Sequence, residues 1–303
     1  MMLKLAAAGC LVLAAGAAWV LSAPQVVEAE DLPAYTADAG RGERIFDIGG
    51  CASCHAAEEA EGDARLVLEG GRGIVSDFGT FRVPNISPDP DAGIGGWSEA
   101  QFVSAMMHGT SPEGRHYYPA FPYTSYARMR EEDVRDLFAY ILTLPPSGRA
   151  DTPHDIPFPF SVNRAIGLWK LLYLAPEPVM ELPQADDAVL RGRYLAEGPG
   201  HCGECHTRRD LIGGPVSAAW LGGGPNPDGP GRIPNLTPAG PLESWSASDI
   251  AYYFETGFTP DYDSVGGSMA DVVTNLSRLP AEDREALAAY LKALPPVTSE
   301  GAR

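Results

Sequence analysis

Cys51-Ala-Ser-Cys-His55 and Cys202-Gly-Glu-Cys-His206 are the two stretches on which the reading of this chain turns. Each is a C-x-x-C-H, the pattern of a covalently attached c-type haem. Two thiols one helical turn apart can form thioethers to the two vinyl groups of one porphyrin. The adjacent histidine then falls under the iron as its proximal ligand. The pattern therefore assigns Cys51, Cys54, Cys202 and Cys205 to covalent attachment and His55 and His206 to the metal, and it predicts two haem c. A disulfide framework and a zinc site are the competing uses of four cysteines. A histidine directly after each Cys pair favours haem, because zinc spacing differs. The fifth cysteine, Cys10, lies in the apolar N-terminus and serves neither motif.

The surroundings of the two motifs repeat as well. Arg82-Val-Pro-Asn-Ile-Ser-Pro88 returns as Arg232-Ile-Pro-Asn-Leu-Thr-Pro238, and Trp97-Ser98 returns as Trp245-Ser246. The last helical pattern of the first half (Leu137, Tyr140, Ile141, Leu144, then Pro145-Pro146) returns as Leu287, Tyr290, Leu291, Leu294 and Pro295-Pro296. The offset stays between 148 and 151 at every landmark. This is a tandem duplication of one domain of about 110 residues, inside the usual domain range.

Within the first copy, Asp38 to Gly49 reads as a short helix delivering the chain to Cys51. Ser98 to His108 reads as another, with a Ser98/Gln101 capping box and a terminating Gly109. Arg130 to Leu144 carries acids in its first turn and one apolar face. The fold expectation is all-α: two tandem haem domains behind an N-terminal membrane-spanning or signal helix. Its boundaries are 1–29 for the signal or anchor, 30–146 for domain 1, 147–185 for a linker packed across the interface, and 186–298 for domain 2. A short amphipathic helix is expected within Phe158 to Leu174, with a membrane-lying or partner-docking role as the alternative to packing.

The totals are compatible with this. The chain has 303 residues, is 45% hydrophobic, and contains 34 glycines and 28 prolines, which predicts abundant loops around a folded core. A net charge of -18 argues against nucleic-acid binding, which wants a basic face. It suits a basic partner, or solubility alone. Lys4 precedes the uncharged stretch Leu5 to Ala23, and Glu28, Glu30 and Asp31 follow, which orients the remainder outward. Val27-Glu-Ala29 is a possible processing site and Trp19 a possible interfacial anchor, so retention and cleavage both stay open.

A sixth iron ligand is expected in the loop before each last helix. In the second half Met269 stands there, within Gly266-Gly-Ser-Met269, and is assigned to haem 2. Counting from the matched Gly109 and Gly257 puts Phe121 at that position in the first half, and phenylalanine cannot bind iron. The replacements are Met129, just before the last helix, His116, and the helix-borne Met106 and Met107. Met129 is preferred over His116, and an open sixth position is the remaining alternative. Asn85 and Asn235, at matched places, are read as partners of a propionate or as loop fasteners. Trp97 and Trp245 are read as packing on haem edges or in the core.

With Pro84-Asn-Ile-Ser-Pro88, Gly95-Gly-Trp-Ser98, Tyr118-Pro-Ala-Phe-Pro-Tyr123, Gly198-Pro-Gly-His-Cys-Gly-Glu-Cys-His206 and Gly266-Gly-Ser-Met269, the chain resembles the di-haem c-type cytochromes related to the cytochrome subunits of membrane-bound alcohol and gluconate dehydrogenases. The resemblance covers roughly residues 38–298. It implies cytochrome c folds and a place on the periplasmic side of the bacterial inner membrane, anchored or released. It also implies electron passage from a dehydrogenase partner to an oxidase, a quinone or another cytochrome, with no substrate site of the chain's own. Two departures stand out: the alcohol dehydrogenase subunits carry three haem motifs where this chain has two, and their Tyr-Pro-Ala-Met-Pro-Tyr is here Tyr-Pro-Ala-Phe-Pro-Tyr. The competing function is a di-haem enzyme, peroxidase-like or thiosulfate-oxidising, reacting at haem 1.

Overall fold

The computed structural model describes residues 2–226 and 229–298. Helix α1 (Met2–Leu21) comes first, and its side chains at residues 2, 3 and 5–8 lie outside the description, as does residue 1. Part of the expected apolar segment therefore falls outside the described residues. Among the described residues no helix is long and apolar enough to cross a membrane, so the expected spanning anchor finds no support in the fold. The far end of α1 is docked on the body. The Ser22 carbonyl accepts from His116 Nε2 at 2.9 Å, and the Arg164 guanidinium lies 4.3 Å from the centre of the Trp19 ring.

The first copy is built from α2 (Ala39–Ile48), α3 (Cys51–His55), the hairpin β1 (Gly73–Ser76) and β2 (Gly79–Arg82), α4 (Glu99–His108), α5 (Tyr123–Tyr126) and α6 (Glu131–Ile141). The linker contributes α7 (Asn163–Tyr173). The second copy repeats the series as α8 (Asp187–Glu197), α9 (Gly203–His206), the hairpin β3 (Gly224–Pro225) and β4 (Arg232–Ile233), α10 (Ala247–Thr256), α11 (Met269–Leu276) and α12 (Ala281–Ala293). The two antiparallel hairpins correct the all-α expectation to a mostly helical fold. In the first, Ile74 pairs with Phe81 and Val75 with Thr80, and the turn is closed by Gly79 at φ 126. β-Branched and aromatic residues between glycines favour this local ladder.

Each copy closes by crossing its first helix on its last. A methyl group on Gly42 of α2 would lie 2.0 Å from the Asp136 carbonyl oxygen of α6. One on Gly192 of α8 would lie 1.9 Å from that of Ala286 in α12. Only glycine admits so close a backbone approach. Around the crossings lie two separate cores. One contains Ile45, Phe46, Phe102, Leu137 and Ile141 with Trp97 at its margin. The other contains Leu195, Trp220, Phe254, Leu287 and Tyr290 with Trp245 at its margin.

The expected caps form. Ser98 and Gln101 make a reciprocal box at the start of α4, and left-handed Gly109 ends it. Ser246 with Asp249, and Gly257, repeat the arrangement on α10. Asn85 and Asn235 are loop fasteners. Asn85 Nδ2 donates to the Ser147 carbonyl at 2.7 Å and Asn235 Nδ2 to the Val297 carbonyl at 2.8 Å. Each asparagine thereby ties the chain beyond the last helix back to the Pro-Asn loop.

The segment between the copies touches both. Lys170 of α7 donates to the carbonyls of His108 (2.6 Å) and Gly109 (2.7 Å), capping the carbonyl end of α4. On the other side Trp169 Nε1 donates to the Ile212 carbonyl at 3.0 Å, and Tyr173 donates to Asp210 at 2.5 Å.

Candidate haem-binding sites

The attachment motifs form short helical turns directly after α2 and α8. Gly50, at φ 58, reverses the chain into α3, and His201, at φ 37, takes the same left-handed turn ahead of Cys202. Helical geometry puts Cys51 and Cys54 three residues apart on one face, with His55 next in line. Cys202 and Cys205 stand in the same relation to His206.

Both histidines are oriented by a proline carbonyl from the repeated loop. His55 Nδ1 lies 2.8 Å from the Pro84 oxygen and His206 Nδ1 lies 2.9 Å from the Pro234 oxygen. A carbonyl only accepts, so Nδ1 carries the proton in each ring and Nε2 keeps its lone pair for a metal. Desolvation works in the same direction. It pushes the His55 imidazole down to about 4 and lowers that of His206, holding both neutral. Burial likewise pushes the Cys51 and Cys202 thiols up to about 12.

These features fit a haem better than a bare ion. Among the described residues no cluster of three or more His, Cys, Asp or Glu side chains could hold a metal by itself. One oriented imidazole beside two thiols is the donor set for an iron whose remaining equatorial positions come from a porphyrin.

The cytochrome c family model matches residues 39–145. The chain is also 58% identical over 295 residues to a diheme cytochrome c-type protein of Cereibacter sphaeroides, across 97% of this chain and 99% of that one. The chain belongs to the cytochrome c family. As a di-haem c-type cytochrome it takes two haem c. It is also 34% identical over 281 residues to the fructose dehydrogenase cytochrome subunit of Gluconobacter japonicus, across 91% of this chain but 57% of that subunit. With the alcohol dehydrogenase (quinone) cytochrome c subunit of Komagataeibacter europaeus the identity is 36% over 271 residues, covering 85% and 56%. This cytochrome thus spans a little over half the length of those dehydrogenase subunits and is homologous to them.

The remaining ligand candidates fall as follows. Met269 begins α11 and packs at the margin of the second core. The loop that leads to it has the same frame in both halves. The Val265 amide donates to the Gly257 carbonyl (2.8 Å), as the Tyr117 amide does to that of Gly109 (2.7 Å). Met129 is buried in the first core with Tyr126, a core against which Phe121 and Cys51 also pack, and it directly precedes α6, where Leu279 directly precedes α12. Met106 is buried on α4 in that core and Met107 packs at its margin. His116 is engaged elsewhere. Its Nε2 is bound at Ser22, its backbone pairs with Asn163 of α7, and its Nδ1 is enclosed without a partner.

Sequence reasoning passed over several residues that touch the motifs. Trp220 packs against Gly203, where a methyl group would sit 2.2 Å from the indole, and its Nε1 donates to Tyr290 at 2.9 Å. Tyr290 in turn donates to the buried Glu197 at 2.7 Å. His201, Glu204 and Asn275 make contacts between the domains. The sequence signal for His201 was its alignment with Gly50 in the repeat, a non-glycine at a left-handed position. For Glu204 and Asn275 there was none.

Proposed function

We propose that this cytochrome carries electrons outside the cytoplasm, on the periplasmic side of the inner membrane, from a dehydrogenase to an oxidase, a quinone or another cytochrome. Cys51, Cys54, Cys202 and Cys205 attach the two haems, and His55 and His206 are their proximal ligands. Met269 completes the second site and Met129 the first. Domain 1 spans 30–146 and domain 2 spans 186–298. The observation that carries the reading is the pair of matched imidazole–carbonyl contacts, His55–Pro84 and His206–Pro234, each presenting Nε2 beside a Cys-x-x-Cys turn. When bound, each haem supplies a one-electron iron couple held by the protein.

The chain's residues do the rest. The proline carbonyls fix the imidazole planes, the cysteines fix the porphyrin covalently, and the packed cores exclude water. The N-terminal segment serves export. The homologous fructose and alcohol dehydrogenase cytochrome subunits support a dehydrogenase as donor. The test is stopped-flow mixing of the oxidised cytochrome with a reduced dehydrogenase encoded nearby. Stoichiometric reduction of two haems per chain is expected, and no reduction on the timescale of dehydrogenase turnover would count against the reading.

A second reading has one observation in its favour. Phe121 occupies the first domain's ligand position, so an enzyme reacting at haem 1 has a place to act. A high-spin ferric spectrum with rapid peroxide consumption would support it. Two low-spin haems without turnover would support electron transfer.

A further inference from the structure

Hydrogen bonds cross between the domains at several places, Tyr194 with Arg130 and Asp133 and Arg278 with Asp47 among them, and one group of these contacts ends on an attachment motif or within two residues of one. Asn275 of α11, in domain 2, donates through Nδ2 to Ser53 Oγ at 2.9 Å, inside Cys51-Ala-Ser-Cys-His55. Thr124 and Ser125 of α5, in domain 1, donate to Glu204 Oε1 at 3.2 and 3.0 Å, inside Cys202-Gly-Glu-Cys-His206. His201, next to Cys202, reaches the Gly49 carbonyl through Nε2 at 3.1 Å, two residues before Cys51.

The first two contacts are reciprocal. The residue held in motif 1 is the second of its two intervening positions, Ser53, and so is Glu204 in motif 2. The residues that do the holding follow Phe121 and Met269, the matched positions of the two ligand loops. His201 sits between the two systems, with its ring edge-on to Tyr126 of α5 at 5.8 Å. Each motif is therefore braced by the segment that follows the ligand-loop position of the other domain.

The charges at the two braces differ. Ser53 accepts from Arg65 at its hydroxyl (3.2 Å) and from Arg72 at its carbonyl (3.0 Å), besides Asn275, with Arg65 also paired to Asp271 of α11. Glu204 is a carboxylate paired with Arg209 and with the two hydroxyls of α5. A positive or donor-rich surrounding favours the ferrous iron, and a carboxylate favours the ferric.

We propose that each domain sets the potential of the other domain's haem: Asn275 is a positioning residue for the first haem, and Thr124 with Ser125 are positioning residues for the second. His201 joins the two attachment segments through its bond to Gly49. The proposal rests on the attachment reading above and adds to it that the potential of each centre is controlled from across the interface.

The test is spectroelectrochemical titration of the full-length di-haem protein. The two waves are assigned with a Cys202→Ala/Cys205→Ala chain that retains the first haem alone. Asn275→Asp places a negative charge beside motif 1 from domain 2. It is expected to lower the reduced-to-oxidised ratio of the first haem about tenfold at a fixed poise, which is about 59 mV for one electron, and to leave the second wave in place. Thr124→Val/Ser125→Ala, in domain 1, leaves Glu204 less neutralised and is expected to lower the second wave only. Asn275→Ala removes the donor without adding charge. If the charged variant does not accumulate, it should shift the first wave in the same direction by a smaller factor. Shifts confined to the mutated domain's own haem, equal shifts of both haems, or no shift would overturn the proposal. Haem counting by pyridine haemochrome separates the two levels: fewer than two haems per wild-type chain overturns the attachment reading, whereas two haems with unmoved waves overturn the bracing alone.

Discussion

Phe121 and Met269 occupy one and the same position in the two halves of the molecule. Each lies five residues after the end of a matched bridge, Thr110 with His116 in one domain and Phe258 with Ser264 in the other. Phe121 packs edge-on against Tyr117 (5.7 Å) and Tyr126 (5.6 Å), so an aromatic cluster fills the place where the second domain has its thioether. A phenyl ring offers no lone pair to iron, and the two domains therefore differ chemically inside the same backbone frame.

The first prediction follows from that pair. Met269→Ala is expected to abolish the methionine-to-iron charge-transfer band of the second haem and to lower its potential, because a thioether favours ferrous iron. Phe121→Met is expected to leave the first haem's band, supplied by Met129, in place. Near-infrared absorption of the oxidised variants reads both, and an unchanged band in the alanine variant would remove Met269 from the ligand set.

Met129→Leu and His116→Gln separate the remaining candidates for the first haem. The leucine variant is expected to convert that haem to a high-spin or replaced-ligand spectrum while keeping the core filled, since Leu for Met conserves volume and costs less than about 1.5 kcal/mol. His116→Gln is expected to leave the haem spectra unchanged, because the ring is committed to Ser22. Magnetic circular dichroism distinguishes these outcomes.

The second core holds a polar chain, Trp220 to Tyr290 to Glu197, with two backbone amides, of Val179 and Met180, completing the carboxylate's shell. Burial raises the Glu197 carboxyl above its usual range. Tyr290→Phe deletes a buried donor and leaves the carboxylate and the indole each short of a partner. The expected cost is about 1–3 kcal/mol, read as a lower midpoint in denaturant with an unchanged slope. A variant as stable as the wild type would show the chain to be energetically neutral.

Much of this architecture was legible in the sequence because it depends on local chemistry. The attachment turns, the Ser98 cap, the Gly109 stop and the tandem frame rest on residue types acting within a few positions of themselves. The hairpins were missed because Gly73 to Arg82 alternates too weakly to show a period. Its pairing is completed by Asp155, whose amide donates to the Thr80 carbonyl at 2.9 Å from far along the chain. The contacts of Asn275 with Ser53 and of Ser125 with Glu204 were invisible because nothing in either neighbourhood marks a partner more than 70 residues away. His116 looked like a ligand because a loop histidine near the right position is chemically suitable. Only the docking of α7 and Ser22 shows its ring to be used elsewhere.

The linker helix carries a pH-dependent contribution through Lys170. The ammonium is buried over the Tyr123 ring, at 4.8 Å, and burial pushes it down to about 7. In the unfolded chain a lysine titrates near 10.4. Between those two values the unfolded state binds a proton that the folded state does not, so unfolding takes up about one proton and stability rises with pH. The contribution is fully present above the unfolded value and is lost as pH falls through about 7. The imidazoles of His108 and His116 are both held below their ordinary value, first by burial and also by the Lys170 charge, so their titration lies on the acid side of this window. Lys170→Met is expected to remove the rise between pH 7.5 and 9.5 while the wild type keeps it. Urea unfolding across that range, compared as wild type minus variant, checks the difference. A difference that does not change with pH would show that the lysine stays protonated in its cap on α4.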